Sequence, residues 1–313
     1  MAGGRPLAGA PRAVPDGLTP VSEGMMARLC AVLVMIGGLL LPTPSEAAVE
    51  VRDDRGKVIR FAQPPRRIVS VLPSLTETVA ALGGLDRLVG TDRYSDWPEN
   101  VRTLPKIGGG IDPNLEAIVA LRPDCVLIAP SARVSRRLEQ LGLRVVALEP
   151  KTHADVRRVT RVVGALLGSP AVTRLLADMD RGLAAAAARV PTRARGMRTY
   201  VEVDRTPYAA SSGSFLGETL ARLGLANIVP ASMGPFPHLN PEFVVAANPA
   251  VILMAGGSAA ELTARPGWKR IEAVRADRVR VFDRQEGDVL VRPGPRLAEA
   301  AALLADAIAV LVP

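Results

Sequence analysis

The sequence predicts an α/β protein of two lobes, each a mainly parallel sheet flanked by helices, joined by a single long backbone helix. Three observations lead there. The stretch Asn114 to Ala129 returns without a gap as Asn240 to Ala255, matching at Asn114/Asn240, Glu116/Glu242, Val119/Val245, Ala120/Ala246, Pro123/Pro249, Leu127/Leu253 and Ala129/Ala255. A second matched pair, Glu77 to Gly83 and Glu218 to Gly224, precedes the two copies in the same order. Strand and helix signals alternate through both halves, the pattern of a parallel sheet with crossover helices. Two similar halves place a binding site most naturally between them.

Each copy reads as one unit. Asn caps a short apolar helix, Glu meets the positive end of its dipole, and Pro stops it before an apolar strand. Upstream, Val49 to Phe61 reads as a β-hairpin around Asp53-Asp54-Arg55-Gly56, and Arg67 to Val71 as a strand. A helix from Leu75 to Leu82 ends at Gly83-Gly84, and the strand Leu88 to Thr91 opens into the loop Asp92 to Pro98. A helix from Ser135 to Leu141 and the strand Val145 to Leu148 complete this half.

Between the halves, Thr152 with Asp155 forms a capping box for a helix to Leu167. Ser169 and Pro170 are expected to start a second helix, running from Ala171 to Arg189 with Gly182 as its one breaker. Roughly 20 helical residues span about 30 Å, a stiff strut rather than a flexible linker. The second half then offers the strand Arg198 to Val203, a helix from Phe215 to Leu223, a β-rich Ile228 to Pro230, a helix near Gly267 to Val274, the strand Arg278 to Phe282 and a closing helix from Pro295 to Val312.

The expected domains are 1–47 as an untranslated leader and/or signal peptide, 48–150 as the N-terminal lobe, 151–190 as a helical linker and 191–313 as the C-terminal lobe. Met25 or Met26 is the expected start. Arg28, the apolar stretch Leu29 to Leu41 and small residues up to a cut after Ala47 have the three-part form of a secretory signal, too short for a permanent span. After that cut Cys125 is the one remaining cysteine, read as a buried inert thiol.

The formal charge of +8 comes from Arg spread singly among Asp and Glu. With no basic run interleaved with aromatics, nucleic acid is not expected as a partner, although a positive surface can still steer anionic ligands. Catalytic signatures are absent: no Gly-x-Ser-x-Gly, Walker loop, His-Glu-x-x-His or Cys-x-x-Cys occurs, so an enzyme is not expected. Tyr94 and Trp97 in the first half, and Tyr208, Phe236 and Trp268 in the second, stand in loops of a chain poor in aromatics. They point to a platform for a large, flat, partly apolar ligand. Of the two histidines, His153 is expected to be a solvated helix end. His238 is either structural or the one candidate ligand for a metal centre, and no metal site is assigned otherwise.

Tyr94-Ser95-Asp96-Trp97-Pro98, the unit Asn114 to Asp124, the Pro-Phe-Pro turn at Pro235 and the segment Asp288 to Arg296 carry a resemblance covering roughly Arg66 to the C-terminus. The chain resembles periplasmic substrate-binding proteins of ABC importers, of the helical-backbone class, most closely those for cobalamin. It departs where cobalamin binders place a Trp before the first unit, having Ile107-Gly108-Gly109. The resemblance implies a periplasmic monomer that delivers a corrinoid to an inner-membrane ABC permease dimer, with Glu116 and Glu242 docking on it. Tyr94, Trp97, Tyr208, Phe236, His238 and Asp288 would line the cleft. No cofactor is implied beyond the ligand, cobalamin, with haem or a ferric siderophore as alternative. An exported chelatase-type tetrapyrrole enzyme is the alternative from another class.

Overall fold

A short hairpin opens the described part of the chain, β1 (Val49–Arg52) pairing antiparallel with β2 (Val58–Phe61). The computed structural model describes residues 48–204 and 207–313, together with Met1 and Gly9. The leader, the secretory signal and Cys30 fall outside the described residues.

The first sheet holds β3 (Ile68–Ser70), β4 (Leu88–Thr91), β5 (Cys125–Ile128) and β6 (Val145–Ala147), in the order β4-β3-β5-β6. Every pairing in it is parallel. Strands β3, β5 and β6 are buried throughout, as their unbroken apolar runs require of a sheet covered on both faces. Helices α1 (Pro73–Ala81), α2 (Leu115–Ala120) and α3 (Ser135–Gln140) cross between these strands. Cys125 is fully buried, and burial pushes its thiol pKa well up, so it is inert as expected.

Two helices follow, α4 (His153–Leu167) and α5 (Val172–Arg189). The Thr152–Asp155 capping box forms, and Gly168 ends α4 in the left-handed conformation at φ 64°. Helix α5 starts later than expected. Ser169 Oγ donates to the Leu82 carbonyl at 2.7 Å and accepts from the Ala171 N–H at 3.2 Å, holding the joint rather than capping the helix itself.

The second sheet is built from β7 (Arg198–Asp204), β8 (Tyr208–Ala209), β9 (Ala226–Asn227), β10 (Val251–Met254) and β11 (Val279–Val281). Its helices are α6 (Phe215–Arg222), α7 (Pro241–Ala247), α8 (Ala259–Ala264), α9 (Glu272–Arg275), α10 (Arg284–Val291) and α11 (Leu297–Leu311). Strand β10 lies between β7 and β11, all parallel, while β9 pairs parallel with the start of β7. The path β9-β7-β10-β11 therefore repeats β4-β3-β5-β6 strand for strand. Strand β8 is extra: it pairs antiparallel with the end of β7 and has no counterpart in the first sheet.

Ala47–Pro313 forms one compact unit. Helix α5, an 18-residue rod, buries Leu176, Met179, Leu183 and Ala186 in the core beneath the second sheet. Its first turns, through Val172 and Leu175, also touch the core beneath the first sheet. Gly182 is no breaker but a contact point, because a Cβ there would stand 2.4 Å from the Ala298 Cβ of α11. The rod draws its stiffness from packing along α11 and the second lobe rather than from helix propensity alone.

Candidate functional site

The loops at the carboxyl ends of parallel strands form the binding edge of open α/β sheets. Here β4 delivers the Tyr94–Trp97 loop, and β11 delivers α10 with Asp288. Two buried anchors position the first loop. Asp92, fully buried, accepts from the Ser95 hydroxyl in a short bond and from the Tyr94 N–H at 2.9 Å. Ser95 in turn meets Thr76 of α1 at 2.9 Å, and Thr76 donates to Ser70 of β3 at 2.9 Å. Burial raises the Asp92 pKa against the opposing pull of Ser95, the Tyr94 N–H and Lys106. Lys106 sits beside it with oxygens of Thr91, Ser95 and Val101 within 3.2 Å, its pKa lowered by burial despite Asp92 and Asp96.

The second anchor comes from the other lobe. Arg292, at the end of α10, donates to Asp96 at 2.8 Å, to Glu77 of α1 at 3.0 Å and to the Tyr94 carbonyl at 3.0 Å. Asp288 pairs with it at 3.1 Å. Arg296 donates to both oxygens of Glu77, at 3.0 and 2.6 Å, and lies over the Trp97 ring 4.8 Å from its centroid. Glu77 is completely buried, so its charge is held only because two guanidinia meet it. Burial acts to lower the Arg292 pKa, but hydrogen bonds to Asp96 and Glu77 outweigh it and raise the value.

Open cavities flank the Asp288–Arg292 pair. One, of about 330 Å³, is lined by Asp96, Trp97, Asp288, Val289 and Arg296 among others. The other, of about 300 Å³, is lined by Leu72, Pro73, Ser74, Tyr94, Asp288, Val291 and Pro293 as well as Arg292. Asp288 lines both cavities, Trp97 the first and Tyr94 the second. Arg296 lies over one face of the Trp97 ring, which is otherwise partly exposed.

The remaining expected residues line neither of these cavities. Tyr208 and His238 are both exposed and pack edge to face with ring centroids 5.2 Å apart, across a β-bridge between their backbones. Phe236 is half-buried against Phe215 at 5.8 Å and packs on the core of its own lobe. Trp268, expected in an exposed loop, is fully buried instead, edge-on to Tyr200 and covered by Arg265 at 4.6 Å. Arg265 is there because it clamps the buried Glu202 with two bonds of 2.6 and 2.7 Å. His153, expected to be solvated, is also buried, its Nε2 2.9 Å from the Thr219 hydroxyl, because α6 packs over the start of α4. No cluster of three or more metal-ligating side chains occurs among the described residues.

Glu116 and Glu242 occupy equivalent helix starts. The Asn114 side chain accepts from the Ala117 N–H and that of Asn240 from the Glu242 N–H. Both glutamates are exposed, and neither has an ion-pair partner among the described residues. The interlobe ion cluster was only half legible beforehand. Glu77 stood out as a repeat match and Arg292 and Arg296 as part of a late motif, but nothing in the sequence joined positions so far apart.

A profile for periplasmic binding proteins matches residues 68–286. The chain is 26% identical over 307 residues to the uncharacterized ABC transporter substrate-binding lipoprotein YvrC of Bacillus subtilis (strain 168), covering 91% of this chain and 96% of that one. It is 30% identical over 222 residues to the vitamin B12-binding protein of Yersinia pestis (strain Pestoides F), 69% of this chain and 78% of that protein. Among solved structures, the periplasmic heme-binding protein BhuT with two hemes superposes with a TM-score of 0.68 at 30% identity, covering 79% of this chain and 99% of that one. The twin sheets, the clasp between them and this profile match make one statement together: the chain belongs to the periplasmic binding protein family.

Proposed function

We propose that the protein is the substrate receptor of an ABC importer, which captures a corrinoid between its two lobes and hands it to a permease dimer. Membership of its family implies an extracytoplasmic place of work, and the secretory pattern before Ala48 supports a periplasmic one. The observation that carries the reading is the pair Glu116 and Glu242. They stand exposed on equivalent capped helices of twin sheets, as two identical permease subunits require of a docking protein. The lining of open cavities by Tyr94, Trp97 and Asp288 supports capture in the cleft. A haem-like ligand is the second reading, favoured by the exposed Tyr208–His238 pair, which offers a phenol and an imidazole to a metal.

Titration with cyanocobalamin, haemin and a ferric siderophore, followed by absorbance and tryptophan quenching, decides among these. Tight stoichiometric binding without turnover is expected. Metal turnover lost in His238→Ala would instead mark a chelatase. Glu116→Ala combined with Glu242→Ala should abolish uptake in cells and leave ligand affinity intact.

A further inference from the structure

We infer that Arg93 recognises an anionic edge of the captured ligand, so that the preferred cargo is a metal chelate with a peripheral carboxylate. This rests on the receptor reading and adds the ligand's chemical class to it.

Arg93 follows β4 directly. Its backbone N–H donates to the Gly108 carbonyl at 2.8 Å, and its guanidinium carbon lies 5.9 Å from the centroid of the exposed Tyr94 ring. The side chain is exposed, and no carboxylate pairs with it among the described residues. The neighbouring cations have their donors engaged by oxygens, carboxylate or otherwise. Arg292 and Arg296 are held by Glu77, Lys106 by three oxygens, and Arg102 by the Asp96 carbonyl at 3.1 Å.

Two glycines lie beside it. A Cβ on Gly109 would lie 3.9 Å from Arg93 Nε and Nη2, and one on Gly110 would lie 3.2 Å from the Val71 carbonyl and 3.8 Å from Leu72 Cδ2. Leu72 and Tyr94 both line the smaller cavity, with Pro73, Val291 and Pro293. Arg93 therefore stands next to Tyr94, which lines a mainly apolar recess that also holds Ser74, Asp288 and Arg292, and its guanidinium has no hydrogen-bond acceptor among the described residues. That arrangement suits a flat apolar body lying on Tyr94 whose anionic margin reaches the guanidinium.

The test is calorimetric titration of the full protein with three probes: dicyanocobyrinic acid and haemin, which carry carboxylates, and cyanocobalamin, whose corrin margin carries amides. Arg93→Gln should weaken binding of the two acids by about tenfold or more, the loss of one charge-assisted contact. It should leave cyanocobalamin binding unchanged and flatten the salt dependence of acid binding, while Arg93→Lys restores part of the loss. Acid affinities equal to those of the native protein in Arg93→Gln, or an equal loss for all three probes, would overturn the inference and leave the receptor standing. Failure of the native protein to bind any probe removes the corrinoid and haem readings and the inference with them.

Discussion

Glu77 on α1 and Glu218 on α6 stand at matching places in the duplicated plan. Each is followed by a Thr whose hydroxyl donates to the carbonyl one turn back, Thr78 to Ser74 at 2.7 Å and Thr219 to Phe215 at 2.8 Å. Both acids reach out of their own helix to something distant in sequence, but with different results. Glu77 meets Arg292 and Arg296 of the other lobe and closes a buried ion cluster. Glu218 accepts the His153 N–H at 2.6 Å and so satisfies a free donor at the start of α4. Position survived the duplication; chemistry followed the new neighbours. On the outer surface Asn114-Glu116 and Asn240-Glu242 keep position and capping role, although Asn114 accepts from the N–H three residues on and Asn240 from that two residues on.

The sharpest way to break this contrast is to neutralise both acids in turn. Glu77→Gln should cost about 3 kcal/mol, because it leaves buried guanidinia short of a charge. Glu218→Gln should cost about 1 kcal/mol, because an amide oxygen still accepts the helix N–H. Denaturant melts measure both, and equal losses would erase the distinction. A smaller effect tests the twin helix ends. Arg122 and Asn248 hold the same left-handed backbone, at φ 45° and 44°. Asn tolerates that conformation at lower cost than Arg, so Arg122→Asn should stabilise the fold by up to about 1 kcal/mol. Asn248→Arg should destabilise it by more than that gain, since it also removes the acceptor for the Glu272 N–H at 2.7 Å.

The smallest effect is a pH slope at the Glu218 junction. Burial lowers the His153 pKa; Glu218 and Asp180 pull it up, and Arg222 acts with burial. A lowered value means the neutral ring is favoured in the fold. Its stability is present above the ordinary value of 6.5 and is lost as pH falls through the lower folded value. Thermal melts between pH 7.5 and 5 should show a loss on acidification that His153→Gln reduces; an unchanged slope would mean another group titrates.

Much of the architecture was legible in the chain because local rules wrote it twice. The Asn caps, the Pro stops and the capping box at Thr152 act within a few residues, and each formed where expected. Short elements were not legible: β8 and α8 carry too little apolar periodicity to announce themselves, and α10 was missed although Asp283 and Glu286 form a capping box at its start. Tyr94 and Trp97 were readable as exposed aromatics because they sit in a turn-rich loop. Trp268 and His153 misled because burial of a side chain in a short or terminal segment depends on what packs over it, here Arg265 and α6.

The order of residues by itself determined the duplicated α/β plan, the equivalence of the two acidic helix starts and the helical connection, all products of patterns repeating within a helix turn or a strand. Only the tertiary structure decided that Gly182 is a point of helix contact, that Arg292 and Arg296 grip Glu77 across the cleft, and that Arg93 has no carboxylate partner among the described residues. Those outcomes depend on which groups meet after the chain has closed on itself, and buried charge is tolerated only where such a meeting supplies its opposite.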